Sequence, residues 1–70
     1  MKEIGVRAMK AIYNRISSEK SLEDLLFDLE LNRATLWQWE KNNHTPNGHT
    51  LRKMALAGYD VVYILTGERN

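Results

Sequence analysis

The sequence predicts an all-α domain built from five short helices. Apolar residues recur three and four positions apart through most of the chain, which is the spacing of an amphipathic helix. Serine, asparagine and aspartate precede several of these stretches, where helix N-caps are expected. The alternation of β-branched residues that is typical of strands is nearly absent. The 70 residues have room for one small core, so we expect a single domain over residues 1–70.

The first two helices follow from apolar spacing and from one N-cap. The first is predicted over roughly residues 3–16. Its apolar side consists of Met9, Ile12, Tyr13 and Ile16. Ser21 is a good N-cap for a second helix over about residues 22–29, because Glu23 and Asp24 then lie at the positive end of its dipole. The apolar side of this helix consists of Leu22, Leu25, Leu26 and Leu29.

The third helix is predicted from Arg33 to Lys41, with Asn32 as its N-cap. Leu36 and Trp39 are three positions apart and therefore share its inner side. Asn42 or Asn43 closes it, since asparagine tolerates a left-handed backbone better than most residues.

The last two helices end at glycines. The fourth is predicted over about 49–57, stopping at Gly58. Its buried residues are expected to be Leu51, Met54 and Ala55. Asp60 caps the fifth, over 61–65, which ends at Gly67. Core candidates near this end of the chain are Tyr59, Val62, Tyr63 and Leu65, and we expect a dimer contact along the fifth helix to cover those that one monomer leaves exposed.

Composition excludes several classes of protein. The chain has no cysteine, which excludes disulfides and thiolate metal sites and fits the cytoplasm. The longest apolar run is Val61 to Leu65, far shorter than the ~20 residues of a membrane span. His44 and His49 are a poor basis for a metal site, so we expect no metal and no cofactor. We also expect no enzyme, because a pocket of ~300 Å³ is hard to enclose in so small a domain.

Charge is segregated along the chain although the net charge is only +1. Residues 1–20 carry five basic and two acidic side chains, and residues 21–31 carry four acidic side chains and no basic one. Residues 32–53 carry four basic side chains and one acidic. This pattern permits a polyanionic partner on one face, without requiring one.

The second and third helices form the most informative part of the sequence. Only Glu30, Leu31 and Asn32 separate them, and so short a connection is typical of a helix-turn-helix, here over about residues 21–41. The outward residues of the third helix are expected to be Arg33, Ala34, Trp37, Gln38 and Lys41. Such a cationic, hydrogen-bonding face suits the DNA major groove.

Residues 21–69 resemble the lambda-repressor-like helix-turn-helix family, which includes phage repressors, Cro proteins and many small bacterial regulators. The resemblance is carried by residues 32–40, by Pro46 and by the closing stretch 58–69. It implies a five-helix domain that binds double-stranded DNA. Glu30 departs from the pattern, because it stands where the family prefers glycine.

The resemblance also implies roles for individual residues. Arg33 and Ala34 open the recognition helix, Trp37 and Gln38 face base edges or sugar, and Thr35 matches a phosphate-binding position. Further backbone contacts are implied for Ser21, Asn43, His44 and Thr45. An ion pair between Glu40 and Arg15 is expected to join the third helix to the first.

Three of these side chains have more than one interpretation. Arg33 is either a solvated arginine or a reader of guanine, and the lack of electrostatic benefit at a helix start favours the second. Trp37 packs on thymine methyl groups, on a second protomer or on a loop. Gln38 is either an ordinary surface residue or a direct contact to adenine or phosphate. Arg52 and Lys53 are expected at the surface of the fourth helix, with contact to DNA as the alternative.

The function predicted from these observations is sequence-specific DNA binding by a cytoplasmic transcriptional regulator. We expect a homodimer on a two-fold symmetric operator. Because the sequence ends shortly after the fifth helix, a Cro-like or stand-alone regulator is expected. The alternative is a protein-interaction module that keeps the fold without binding DNA, and an outward Trp37 would then be its anchor.

Overall fold

Five helices make up the computed structural model, which describes residues 2–41 and 44–69. They are α1 (Lys2–Tyr13), α2 (Leu22–Leu29), α3 (Arg33–Lys41), α4 (Gly48–Leu56) and α5 (Val61–Thr66). No strand occurs within these two ranges. The all-α class and the number of helices are therefore confirmed, and the predicted bounds of α2 and α3 are matched at both ends.

The core lies where α1 packs between α3 on one side and α5 on the other. Ile12, Met54 and Ile64 are fully buried and bring together α1, α4 and α5. Leu36 and Trp39 are buried as predicted. The remaining buried apolar residues are Ala8, Met9, Leu25, Leu26, Leu29 and Tyr59.

Local capping sets the starts of α2 to α5. Ser21 forms a full capping box with Asp24, and the side chain of Asn32 accepts the amide of Thr35 at 2.9 Å. Asp60 likewise accepts the amide of Tyr63 at 3.0 Å. Asn47 caps α4, which the sequence did not predict, and α4 covers residues 48–56 instead of about 49–57.

The first helix is shorter than predicted. After Tyr13 the amides of Arg15 and Ile16 bond to carbonyls three residues back, at 3.0 and 3.1 Å, so the backbone leaves the α-helical path. Tyr13 and Ile16 are consequently 42% and 45% exposed, and their predicted place on the buried side is wrong.

The predicted core of the last two helices also needs correction. Ala55 is exposed, whereas Thr50 is buried with Met54 on the inner side of α4 and Leu51 is half-buried. Positions 50 and 54 lie four apart and therefore share one side of α4, whereas position 55 points away from it.

In α5 the buried set is narrower than expected, and the helix reaches residue 66 before Gly67 (φ 78°) ends it. Tyr59 before the helix is buried and Tyr63 is half-buried, but Val62 and Leu65 are exposed. A helix of six residues has fewer than two turns, so few of its positions can face the core, and Ile64 is the buried one.

Arg15 does not pair with Glu40. Its guanidinium lies 3.7 Å from the centre of the Tyr59 ring and donates through Nη1 to the carbonyl of Ala57 at 2.8 Å. The early end of α1 places this side chain beside the connection between α4 and α5 instead of beside α3.

Gly5 lies buried at the closest approach of α1 to the chain around α3. A Cβ atom at this position would be 2.6 Å from the carbonyl oxygen of His44 and 2.8 Å from that of Trp39. Only a residue without a side chain fits there. Nothing in the helical periodicity of the sequence indicated this contact.

Candidate nucleic-acid interface

The connection between α2 and α3 is a tight, hydrogen-bonded turn. Glu30 has left-handed dihedral angles (φ 57°, ψ 39°), and the amide of Leu31 bonds to the carbonyl of Leu26 at 2.8 Å. Among the described residues Glu30 is the one non-glycine with a positive φ. Asn32 then caps α3, so three residues complete the change of direction.

Replacing Glu30 by glycine is expected to stabilise the domain. The left-handed conformation costs Glu30 free energy, whereas glycine adopts it freely. The contact with Lys53 (2.9 Å) that is lost joins a carboxylate whose side chain is 68% exposed to a lysine that is 25% exposed, and its loss offsets part of the gain. We expect the melting temperature to rise by roughly 4–8 °C, measured by thermal denaturation.

Glu30→Gln is the matched control, because it keeps the backbone strain and removes only the charge. Lys53 lowers the pKa of Glu30 by donating a hydrogen bond and by its positive charge. A carboxylate with a lowered pKa stabilises the fold above its ordinary pKa of 4.5 and loses this effect as pH falls through the lowered value. The stability difference between wild type and E30Q should therefore close on acidification. A lower melting temperature for E30G than for E30Q would contradict the role given to strain.

The outer side of α3 is largely open to solvent, as predicted. Arg33, Ala34 and Lys41 are exposed, and Trp37 keeps 53% of its surface accessible. Gln38 is half-buried, so its predicted outward position is matched only in part.

Arg33 has an electrostatic partner within the domain, which the sequence did not predict. It forms an ion pair with Glu23 of α2, in which Nε donates to Oε1 at 2.7 Å. Both side chains stay about two-thirds exposed, at 68% and 63%, so the pair can exchange with an external ligand at small cost. This pair joins the start of α2 to the start of α3.

The acidic segment around α2 is largely neutralised by cations from other parts of the chain. Besides Glu23 with Arg33, Asp28 pairs with Lys20 at 2.5 Å and Glu30 pairs with Lys53. Repulsion of phosphate by this helix is therefore weaker than its composition indicates.

Two predicted phosphate-binding hydroxyl groups are engaged in N-caps. The Ser21 hydroxyl oxygen accepts the amide of Asp24 at 3.2 Å, and the Thr35 hydroxyl donates to Asn32 Oδ1 at 3.1 Å. Ser21 is exposed and retains its own hydroxyl proton for an external acceptor, whereas Thr35 is half-buried.

The loop after α3 begins close to that helix. The amide of His44 donates to the carbonyl of Gln38 at 3.4 Å, and both His44 and Thr45 are exposed. The predicted contact of Asn43 and the predicted helix end at Asn42 or Asn43 lie outside the described residues.

No family model, curated protein or solved structure matches this chain.

A second feature of the interface is a groove of about 180 Å³ beside Trp37. Tyr13 of α1, Leu22 of α2 and Arg33 also line it, so three helices meet there. Two partly exposed aromatic rings, those of Tyr13 and Trp37, therefore border one depression next to the outer face of α3. This arrangement was not predicted from the sequence, because Tyr13 was expected on the buried side of the first helix.

The described residues contain no group of three potential metal ligands. They also contain no helix long and apolar enough to cross a membrane.

The domain also carries a cleft that is open to solvent. A cleft of about 360 Å³ opens beside Leu25, Leu29 and Tyr59, and the paired Lys20 and Asp28 also line it. Burial in the core raises the pKa of the Tyr59 phenol, so this side chain is neutral near pH 7.

Proposed function

We propose that this protein is a sequence-specific regulator of transcription that binds double-stranded DNA by placing α3 in the major groove. The observation that carries the proposal is the exposed outer face of α3, held to α2 by a three-residue turn. Arg33, Trp37 and Lys41 project from this face without being needed for the core.

The dimensions of α3 support this proposal. An α-helix with its side chains is about 10–12 Å across and the major groove is about 12 Å wide, so α3 fits the groove with its first turn toward the base edges. Arg33 is in that first turn. Its planar guanidinium suits two hydrogen bonds to guanine, and Lys41 at the other end suits a phosphate.

A homodimer on a two-fold symmetric operator is part of the proposal. Exposed Val62 and Leu65 on α5 supply apolar surface for a second copy. Such a dimer places its two recognition helices about 34 Å apart, in successive major grooves.

The test is selection of bound duplexes from a random DNA pool, followed by measurement of affinity against salt. We expect a two-fold symmetric site with half-sites one helical turn apart. We also expect log affinity to fall with log salt with a slope of about −0.9 for each phosphate neutralised. No enrichment at low salt with folded protein would reject DNA binding.

A second candidate, a protein-interaction module, is favoured by the groove beside Trp37. An exposed tryptophan next to a tyrosine is a common anchor in protein interfaces. In this reading the partner covers Trp37, and binding shows little dependence on salt.

Trp37→Ala separates the two functions. Because Trp37 is largely exposed, we expect the melting temperature of the W37A protein to stay within a few degrees of wild type. For a DNA-binding regulator, the affinity for the selected duplex should fall by about tenfold, corresponding to ~1–2 kcal/mol of lost contact. Unchanged DNA affinity together with loss of a protein partner would favour the interaction module.

A further inference from the structure

A basic groove of about 270 Å³ lies between α1 and α5. Its cationic lining comes from both ends of the chain and consists of Arg7, Lys10, Arg15 and Arg69. Asp60 is the one acidic residue lining it, and Tyr59 and Tyr63 supply two aromatic rings. We call this the α1–α5 groove.

The three arginines are held in place by neutral groups. Arg7 donates through Nε to the carbonyl of Ile64 at 2.8 Å, and Arg15 is fixed by Ala57 and Tyr59 as described above. The guanidinium of Arg69 lies 4.0 Å from the centre of the Tyr63 ring. These contacts orient the guanidinium groups without cancelling their charge, and each retains free N–H donors.

The positive charge of the groove is only partly compensated within the described part of the chain, by Asp60. Its four cations form no ion pair there, whereas Lys20, Arg33 and Lys53 each have a carboxylate partner. Asp60 uses one carboxylate oxygen to cap α5. The ammonium group of Lys10 forms no hydrogen bond or ion pair with the described residues.

The groove is on the side of α1 that faces away from α3. Gly5 and Met9 of α1 lie toward α3, while Arg7, Lys10 and Asn14 line the groove. Because successive helical residues are rotated by about 100°, these two sets are on nearly opposite sides of the helix. A duplex on α3 would leave the groove open.

We propose that the α1–α5 groove binds a small molecule that carries two or more adjacent phosphate groups. Oriented guanidinium groups match phosphate oxygens in pairs, and several cations around one depression require several negative charges on the ligand. A volume of about 270 Å³ suits a small ligand and is too little for a duplex.

The test is titration of the ¹⁵N-labelled protein with sodium tripolyphosphate at constant ionic strength, followed by ¹H–¹⁵N correlation spectra. We expect shifts concentrated on the amides of α1 and α5. Lys10→Gln should weaken binding by about fivefold or more, because it removes one charge-assisted contact. The fold of this variant should be unaffected, since Lys10 is exposed and forms no ion pair with the described residues. Arg69→Gln provides a second variant at the same groove.

Lys41→Gln on α3 is the matched control and should change tripolyphosphate binding by less than twofold. The proposal is overturned if shifts spread equally to Lys41 and Arg52, or if K10Q and R69Q both bind as wild type does. It is also overturned if a short duplex shifts the groove amides and tripolyphosphate does not. The titration does not depend on α3 binding DNA, so failure of either proposal leaves the other to be judged separately.

Discussion

Gly5→Ala is expected to destabilise the domain by about 3 kcal/mol, which is a large part of the roughly 4–10 kcal/mol expected for 70 residues. Alanine normally stabilises a helix relative to glycine by ~1 kcal/mol, so the expected sign is the reverse of the helix propensity. The cause is the close approach of two carbonyl oxygens, those of His44 and Trp39, to the added methyl group. Backbone atoms cannot rotate away as a flexible side chain can, so α1 must shift away from α3.

Thermal denaturation tests this expectation, with a decrease in melting temperature of roughly 15 °C. Gly48→Ala is the matched control. Gly48 lies in a helix as Gly5 does, but nothing lies within 4 Å of a Cβ atom added to it. G48A should be neutral or slightly stabilising. Equal effects of the two substitutions would show that the contact between α1 and α3 is looser than described.

The second large effect is expected at the Glu23–Arg33 pair. Arg33→Ala should weaken binding to the selected operator by about tenfold to a hundredfold and relax the preference at one base position in each half-site. Lys41→Ala should instead lower affinity for all sequences alike. Competition binding with operator and single-base variants measures both.

Glu23→Gln is the more discriminating substitution, because it frees Arg33 and removes a negative charge beside the proposed DNA-binding face of α3. We expect E23Q to tighten DNA binding by about threefold to fivefold, consistent with the small free energy of an exposed ion pair. In the R33A background this gain should shrink, which a double-mutant cycle measures. Arg52→Ala, an exposed arginine on α4, should change affinity by less than twofold.

If E23Q weakened DNA binding, Arg33 would need its partner for orientation and the proposed exchange of Glu23 for DNA would be wrong. If R33A left both affinity and base preference unchanged, α3 would not be the recognition helix. Neither substitution should alter the melting temperature by more than a few degrees, since both side chains are mainly exposed.

The amino-acid sequence by itself determined the number of helices, both ends of α2 and α3, and the start of α5. Ser21, Asn32 and Asp60 cap helices as predicted, because an N-cap involves only a side chain and an amide three residues along. The burial of Leu36 and Trp39 also followed from the sequence, because residues three apart lie on the same side of a helix. The left-handed turn at Glu30 is a local backbone feature too, and its unusual residue was visible in the sequence.

Tertiary structure alone decided which charged residues meet. Glu23 and Arg33 are ten positions apart, and Arg7 and Arg69 come together from opposite ends of the chain. No periodicity of one helix encodes such a meeting, because it depends on how two helices cross. The exposure of Tyr13, the fit of Gly5 and the charge of the α1–α5 groove are consequences of the same packing. Local hydrogen bonds define the helices, whereas the interfaces between them define the surfaces available to a partner.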